Sequence, residues 1–389
     1  MPWPQFDANH VMVTAAEMTM LEEEIFKSGL PIASLMEAVG QSMANWILHN
    51  PDLIRNGALI LVGPGHNGGD GLVVARYLHC AGINVKIWCP LQIKKELTLK
   101  HFSHVKWLGI TEIKYSPDVS EDILWIDAIF GLGQKRALPE FISLILSERS
   151  KKKNLKMISL DVPSGICSDS GKPFDGSAAI CNFTLSAGLI KQGLMQDSAL
   201  KYVGKINRIG FSIPRDILLS LQKERRIRVI PEDIDTINWP YISPISGKYK
   251  RGRVFVIAGS ENYIGSAFLA LKGALSSGVG CIYAALPKIM TEQTTYHIPE
   301  VIIKGFFQNS NKEEFSFGNM INEIELNKID SLLIGPGLGN LKENWDTWAD
   351  PLKRFEGLLV IDADGINQLG LSNEGFTWLT KREGPTWLT

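Results

Sequence analysis

The stretch LILVGPGHNGGDGLVVARYL, residues 59–78, places an apolar run, a glycine-rich turn and a helical pattern in direct succession. The branched residues of Leu59–Val62 predict a buried strand, and the apolar spacing that follows predicts a helix over 70–81. The turn matches the G-x-G-x-x-G pattern of dinucleotide-binding units at Gly63, Gly65 and Gly68. Because this is the element order of a βαβ unit, the stretch predicts a parallel sheet covered by helices.

The rest of the chain continues the alternation of helices and strands. A capping box, Thr14-Ala-Ala-Glu17, predicts a helix that runs toward Phe26, and a second helix is expected over Ile32–Leu48. Further strands are predicted over 84–88, 123–131, 157–165, 181–187, 252–260, 281–287, 330–340 and 358–367, with a helix over 266–278. Strands separated by helices indicate an α/β fold in both halves, which in the first half is a Rossmann-like, three-layer α/β/α domain.

The length of the chain and a change in its composition near the middle indicate two domains. At 389 residues it exceeds what a single hydrophobic core usually serves. Between 215 and 247 the sequence becomes charged and then rich in Pro, Ser and Gly, as in a linker. We therefore predict a first domain over 1–225, a linker over 226–245 and a second α/β domain over 246–389.

Composition excludes several classes of protein. The formal net charge of −1 gives no electrostatic basis for binding nucleic acid or an anionic membrane. The five cysteines lack C-x-x-C spacing, which disfavours disulfides and a zinc site and fits the reducing cytoplasm. The N-terminus has no signal-peptide pattern and no apolar run is long enough to span a bilayer, so we expect a cytoplasmic protein.

Two aspartates follow apolar runs that read as strands. Asp127 lies in WIDAIFG and Asp161 in SLDVPSG. Because the carboxyl ends of parallel strands share one edge, both are expected beside the loop 63–71. A single Asp at a strand end is usually a turn former, but here three acidic loops are flanked by glycine. Asn67, Asp127 and Ser164 could together hold a hard cation, and the sequence leaves a cation and water as alternatives.

What the glycine-rich loop binds is a separate question. Asp70 is expected at the helix start, where its carboxylate would compete with a phosphate for the free N–H groups. A dehydrogenase of the usual kind also needs an acid about 20 residues beyond the glycines to bind the ribose. Asn84–Pro90 contains none. An NAD(P)-dependent oxidoreductase is therefore a disfavoured alternative, and a plain strand-to-helix turn is another.

Several motifs together resemble a known family. In the first half, over roughly residues 10–220, the motifs GPGHNGGDGLVVARYL, IDAIFGLGQKRALP, SLDVPSG and TLSAGLIKQGL resemble NAD(P)H-hydrate epimerases. In the second half, SGKYKRGRVFVIAGS, YIGSAFLALKGALSSGVG, IGPGLGN and VIDADGIN resemble the ribokinase-like, ADP-dependent NAD(P)H-hydrate dehydratases. The chain is thus similar to the fused, bifunctional repair enzymes. The resemblance implies hydrated NADH or NADPH as substrate, K⁺ in the epimerase half, and ADP with Mg²⁺ in the dehydratase half.

The resemblance also implies roles for individual residues. Those implied to bind substrate are His66, Asn67, Gly68, Gly69, Asp70, Gly131, Leu132, Gly133, Gln134, Lys135, Arg136, Ala137, Asp161, Ala267 and Gly337. Those implied to bind K⁺ are Asn67, Asp127 and Ser164. His66 departs from the family, which commonly has Asn at this position. Lys135 and Arg136 suit a pyrophosphate, although a solvated loop explains them equally well.

Epimerisation at the hydrated ring carbon defines the catalytic candidates. The hydroxyl must leave or the ring must open, and either route needs a proton donor and a proton acceptor beside the ring. We predict Asp161 for this work with Lys191 as its partner, the alternative being that Lys191 is an ordinary exposed lysine. A non-catalytic scaffold protein is a further alternative. The presence of Asp70 and Asp127 beside this pair argues against it.

The second half lacks motifs expected of its relatives. Residues 246–389 number 144, and they contain neither a Gly-x-Gly-Asp segment nor a His-Pro-Gly-Glu loop. The first of these supplies amides and a catalytic base in kinase-like enzymes. We therefore expect an active epimerase joined to an incomplete, inactive dehydratase half. Apolar strands without neighbours would then favour association between copies, so a homo-oligomer is a predicted partner.

Overall fold

The computed structural model describes residues 7–152, 156–175, 177–220, 226–236, 243–307, 324–339, 346–370 and 376–389. The chain forms two units, Met1–Asn238 and Trp239–Thr389. No helix in these described ranges has the length and apolar character needed to cross a membrane.

The first unit is built on a parallel sheet. Its strands are β1 (Met12–Val13), β2 (Ala58–Val62), β3 (Val85–Trp88), β4 (Thr111–Ile113), β5 (Leu124–Ala128), β6 (Met157–Leu160), β7 (Phe183–Ala187), β8 (Ile190–Lys191) and β9 (Lys205–Ile209). Seven of them form the sheet in the order β4-β3-β2-β5-β6-β7-β9. All its neighbours are parallel. From β2 the chain adds β3 and β4 on one side, and from β5 it adds the later strands on the other side. The point between β2 and β5, where the strand order reverses, is where such sheets bind ligands.

Helices cover both faces of this sheet. They are Ala15–Lys27, Ile32–Leu48, Pro51–Ile54, His66–Cys80, Glu96–Trp107, Glu140–Ser150, Leu200–Val203, Arg215–Ser220 and Asp233–Thr236. Along β2, Ile60 and Val62 face a core shared with helix Ile32–Leu48, whereas Leu59 and Leu61 face a core shared with helix Glu140–Ser150. Burial on both faces explains the unbroken apolar run of this strand. The predicted three-layer α/β/α fold is confirmed.

The first helix has the predicted N-terminus. The Thr14 hydroxyl accepts a hydrogen bond from the Glu17 amide at 3.2 Å, and the Thr14 amide donates to the Glu17 carboxylate at 2.8 Å. This reciprocal pair satisfies donors that the first turn leaves free, which fixes the start of the helix at Ala15. The predicted capping box is confirmed.

The helix after the glycine-rich loop begins earlier than predicted. It runs from His66 to Cys80, so Asp70 lies in its second turn and not at its start. The reason is the close packing of the loop. A Cβ atom at Gly63 would lie 1.7 Å from the Ile129 carbonyl oxygen, and one at Gly68 would lie 2.1 Å from the Gly63 carbonyl oxygen. Glycine therefore lets the helix start directly against the strand ends.

In the first unit, two predicted strands are shorter than expected at their carboxyl ends. The strand predicted over 157–165 ends at Leu160 because Asp161 adopts a φ of 68°, outside the extended region. The strand predicted over 123–131 ends at Ala128, and the following residues turn out of the sheet. Both shortened strands release their loops at the same edge.

Residues 226–236 belong to the first unit, although the sequence-based division assigns them to the linker. Ile227 forms an antiparallel bridge with Val11, and the Met12 amide donates to the Arg226 carbonyl at 3.2 Å. The buried His10 ring contacts Asp233 through Nε2 at 2.8 Å and Asp7 through Nδ1 at 2.7 Å. Burial opposes its charge, but these two carboxylates raise the pKa of His10 overall.

The second unit is also a parallel α/β structure. Its strands are β10 (Arg253–Ile257), β11 (Cys281–Pro287), β12 (Val301–Phe307), β13 (Ser331–Ile334), β14 (Leu358–Ile361) and β15 (Thr386–Leu388). They form a six-stranded sheet in the order β12-β11-β10-β13-β14-β15, with parallel neighbours throughout. Its helices are Ile264–Ser276, Thr291–His297, Asp346–Lys353 and Asp364–Leu369. The predicted α/β class of this half is confirmed.

Candidate active site

A cavity of about 440 Å³ opens at the carboxyl ends of β2 and β5, where the first sheet reverses direction. It is lined by Glu22, Pro64, Gly65, His66, Asn67, Asp70, Lys95, Ile129, Phe130, Gly131, Leu132, Gly133, Gln134, Asp161 and Ala187. Parallel α/β sheets bind their ligands at this position. The cavity is therefore the candidate active site of the first unit.

Asp161 and Lys191 form an ion pair at the base of the cavity. Lys191 is fully buried in β8, and its Nζ donates to Asp161 Oδ1 and, at 2.6 Å, to the Ala187 carbonyl. Asp161 Oδ2 accepts the Leu132 amide at 3.0 Å, so both carboxylate oxygens are engaged. The alternative of an exposed lysine is wrong. The backbone of Asp161 lies in the left-handed region, with a φ of 68°, and its amide donates a hydrogen bond to the Leu185 carbonyl. Such backbone conformations are frequent at functional sites.

A second carboxylate, Asp127, lies behind the cavity wall. It is fully buried and accepts the Ser164 amide and hydroxyl, both at 2.7 Å, and the Ile129 amide at 3.2 Å. Burial raises the pKa of Asp127 to about 6, although these hydrogen bonds oppose the rise. No basic side chain in the described part of the chain pairs with it. A buried carboxylate without a counter-charge favours a cation nearby.

The three predicted cation ligands converge on one residue, Phe130. The Phe130 amide donates to the Ser164 hydroxyl at 2.9 Å, and that hydroxyl donates to the Asp127 carboxylate. The Phe130 carbonyl accepts a hydrogen bond from the Asn67 side-chain amide at 2.9 Å. A Cβ atom at Gly131 would lie 3.4 Å from Asn67 Oδ1, so the Asn67 oxygen faces this glycine. Amide, carboxylate, hydroxyl and carbonyl oxygens are the donors that hard cations prefer. The donor set fits a monovalent cation such as K⁺.

Two further acids, Glu22 and Asp70, line the same cavity. Burial, and after it the charge of Asp161, raises the pKa of Glu22 to about 7, while Lys191 acts in the opposite direction. Burial also raises the pKa of Asp70 well above its ordinary value, with added repulsion from Asp161 and Glu22. The cavity therefore holds an ion-paired carboxylate together with two carboxyl groups that retain their protons to higher pH.

Glu22 is a site residue that the sequence analysis missed. It sits in the run Glu22–Glu24, which is typical of a solvated helix face, and the other two glutamates are exposed. Helical spacing could have identified it, because Glu22 shares a face with the buried residues Met18 and Ile25. Lys95 was also missed. It lines the cavity from an exposed position and, after burial, helps to lower the pKa of His66.

The structure brings only part of the predicted substrate-binding set to the cavity. Eight of the predicted residues line it: His66, Asn67, Asp70, Gly131, Leu132, Gly133, Gln134 and Asp161. Gly68 and Gly69 are buried within the helix and do not line it, and Lys135 and Arg136 are exposed on the loop beyond. Ala137 also lies outside the lining. The Gln134 side chain fixes this loop, because its oxygen accepts the Gly165 amide at 2.8 Å.

Ala267 and Gly337 lie in the second unit. Gly337 has a φ of 66°, and a Cβ atom there would lie 2.7 Å from Ser266 Cβ and 2.8 Å from Tyr263 Cβ. Ala267 is buried one residue further along the same helix. The loop after β13 thus packs against the start of the helix that follows β10, which brings the two predicted residues into one region at the carboxyl edge of this sheet.

Comparisons with known proteins identify both units. Residues 32–193 match the family described as YjeF-related protein N-terminus, and residues 254–389 match the family described as NAD(P)H-hydrate dehydratase. Among solved structures, the yeast protein ynu0 aligns with a TM-score of 0.47 and 22% identity over 55% of this chain and 94% of that chain.

Relatives of the whole chain carry one name, bifunctional NAD(P)H-hydrate repair enzyme. The protein from Synechocystis sp. is 32% identical over 97% of this chain and 71% of its own length. The Gloeobacter violaceus protein is 33% identical over 97% of this chain and 73% of its own length. The Thermosynechococcus vestitus protein is 34% identical over 94% of this chain and 71% of its own length. Similarity at this level extends through both units. The chain belongs to the bifunctional NAD(P)H-hydrate repair enzyme family.

Proposed function

We propose that the first unit epimerises the R and S hydrates of NADH or NADPH. The observation that carries this proposal is the cavity at the strand ends, where Asp161 is paired with the buried Lys191. Epimerisation needs a fixed acceptor for a proton beside the ring carbon. Asp161 is fixed by bonds to both of its oxygens and to its own amide. We infer that the hydrated nicotinamide ring lies beside it.

The remainder of the dinucleotide would extend toward the mouth of the cavity. Lys95 lines this region, and Lys135 and Arg136 lie exposed on the neighbouring loop. These cations suit a pyrophosphate, which guanidinium and ammonium groups bind through charge-assisted hydrogen bonds. The extension accounts for basic side chains around a cavity whose interior is acidic.

The oxygen ligands behind the cavity support a role for K⁺. Asn67, Asp127 and Ser164 would hold the ion, which when bound supplies positive charge beside the buried Asp127 carboxylate. In the protein itself, Ser164 and Asn67 bond the backbone of Phe130 and so fix the loop that carries Gly131 and Leu132. The Leu132 amide in turn orients Asp161. The cation ligands and the ion pair are thus joined through one loop.

We propose that the second unit dehydrates NAD(P)H hydrate, as the name of the family that it matches indicates, and that it acts on the S hydrate with ADP and Mg²⁺. Ala267 and Gly337 are the proposed hydrate contacts. The sequence-based expectation that this half is inactive is the alternative to this proposal. A cytoplasmic location is also proposed, since the cysteines among the described residues are free, as the reducing cytoplasm would keep them. Association with a second copy of the chain stays a prediction as well.

A mixture of R and S hydrates, resolved by chromatography, tests these proposals on the 389-residue chain. Faster interconversion of the epimers than in buffer supports the epimerase. Hydride transfer in place of interconversion would indicate an oxidoreductase, and the absence of both would indicate a binding protein. A parallel incubation with ADP and Mg²⁺ measures loss of the S hydrate. Such loss would establish the dehydratase and overturn the expected inactivity of the second unit.

A further inference from the structure

Two carboxyl groups in the cavity have no partner among the described residues. Glu22 and Asp70 both line it, yet within the described ranges neither side chain forms a hydrogen bond or an ion pair. Asp161 differs, because its two oxygens accept Lys191 Nζ and the Leu132 amide. A carboxylate paired with an ammonium group is suited to accept a proton, whereas an unpartnered carboxyl group can hold a proton and present it to a ligand. The unpartnered acids are therefore better placed to donate one.

The position of Glu22 is fixed from its own helix. Met18 and Ile25 on the same face are buried, as is the adjacent Leu21, so the helix is anchored on both sides of Glu22. The start of this helix is tied down as well, because the Ala15 amide donates to Asp169 Oδ1 at 2.6 Å. A side chain on a helix held in this way can present its carboxyl group to the ring in a constant geometry.

We propose that Glu22 is the proton donor of the epimerase reaction and that Asp161 is the acceptor. This inference rests on the proposed function of the first unit. Glu22 gives its proton to the hydroxyl oxygen on the hydrated ring carbon. The carbon–oxygen bond breaks, its electron pair leaves with water, and the lone pair of the ring nitrogen forms the carbon–nitrogen double bond.

The second half of the step restores the hydrate. A water oxygen bonds to the opposite face of the ring carbon, the carbon–nitrogen double bond returns its electron pair to nitrogen, and the surplus proton passes to Asp161. The cycle closes when this proton returns from Asp161 to Glu22 through solvent. In the reverse direction Asp161 donates and Glu22 accepts, so the two acids serve both epimers without any other reactant.

The electrostatic surroundings of Glu22 support this assignment. Burial raises the pKa of Glu22 to about 7, Asp161 adds to the rise and Lys191 opposes it. A donor whose pKa lies near the working pH is protonated in a large fraction of molecules and regains its proton readily. The other titratable groups that face the cavity are Asp70, whose pKa burial raises, and His66 and Lys95.

Replacing Glu22 by glutamine tests the assignment. In Glu22→Gln we expect kcat for R-to-S conversion to fall about 100-fold or more, with KM changed only a few-fold, because the amide has no proton of the required acidity. In the wild type kcat should fall as pH rises through about 7, and the variant should lose this dependence. Glu23→Gln, an exposed neighbour on the same helix, is the matched control and should behave as wild type.

A second variant and a direct titration keep the outcome clear if Glu22→Gln does not fold. Glu22→Asp retains a carboxyl group, so it should keep part of the activity and the fall of kcat with pH. In the whole protein with ¹³C-labelled glutamate carboxyls, the Glu22 signal should titrate with a midpoint near 7. An active wild type together with a fully active Glu22→Gln, or a Glu22 midpoint near 4.5, would overturn this inference alone. A wild type that does not interconvert the epimers would overturn the proposed function, and this inference with it.

Discussion

Stability should reveal the raised pKa of Glu22 independently of catalysis. Its pKa is raised from 4.5 to about 7 in the folded protein. Below pH 4.5 the group is protonated in both the folded and unfolded states and has no effect on their balance. As pH rises toward 7, the unfolded chain ionises first, so the free energy of unfolding decreases over this window. The full difference corresponds to about 3 kcal/mol.

Glu22→Gln removes this penalty, because an amide does not ionise. We expect the variant to match wild type at pH 4 and to be more stable by about 3 kcal/mol at pH 8.5. Urea unfolding followed by far-UV circular dichroism at both pH values measures the difference. Only the transition of the first unit should move. Glu23→Gln, an exposed change on the same helix, should leave the curves of wild type unchanged.

An equal stability difference between Glu22→Gln and wild type at pH 4 and pH 8.5 would refute the reasoning. It would mean that the effect of the variant comes from packing and not from the ionisation of Glu22. A wild type that gains stability between pH 4.5 and 7 relative to the variant would also refute it, because the sign of the linkage would be reversed.

The remaining predictions concern the other parts of the cavity. Asp161→Asn preserves shape and removes the acceptor, so kcat should fall about 100- to 10,000-fold with little change in KM, and near-normal turnover would contradict its role. Asp127→Ala should weaken K⁺ and hydrate binding together. If K⁺ titration alters neither activity nor the melting temperature of wild type, the cation site is wrong. Gly63→Ala would place a Cβ atom 1.7 Å from the Ile129 carbonyl oxygen and should cost about 3 kcal/mol or more, whereas Gly133→Ala, with no atom within 4 Å, should melt as wild type.

The parts of the fold that local pattern determines were predictable from the sequence. The helix Ile32–Leu48 and the start of the first helix at Ala15 follow from apolar spacing and from a capping box, and both are confirmed. The order of strands in the sheet is a long-range property. Even so, alternation of strands and helices was sufficient to place Asp161 at the same edge as the glycine-rich loop.

Details that depend on contacts between distant segments were not predictable. The helix begins at His66 because Gly63 packs on Ile129, a contact that no local pattern contains. The inward direction of Glu22 depends on the helix being buried against the loop near Gly188, where a Cβ atom would lie 2.3 Å from Met18 Cε. In sequence, Glu22 resembles its exposed neighbours. Its role emerges only when the cavity around it is known.

The position of residues 226–236 gives the ion pair of the cavity a distant mechanical support. The Arg226 carbonyl accepts a hydrogen bond from the Met12 amide, and the Arg228 backbone amide donates to the His10 carbonyl at 2.9 Å. Strand β1 pairs with β8, so that Val13 lies beside Lys191. A displacement of residues 226–228 would therefore reach Lys191, whose ammonium group contacts Asp161, through these hydrogen bonds and the β1–β8 pairing. A first unit truncated after residue 225 would retain every residue of the cavity and lose the contacts of Arg226 and Arg228 with the segment before the first helix. The point at which composition changes is therefore a poor place to divide this enzyme.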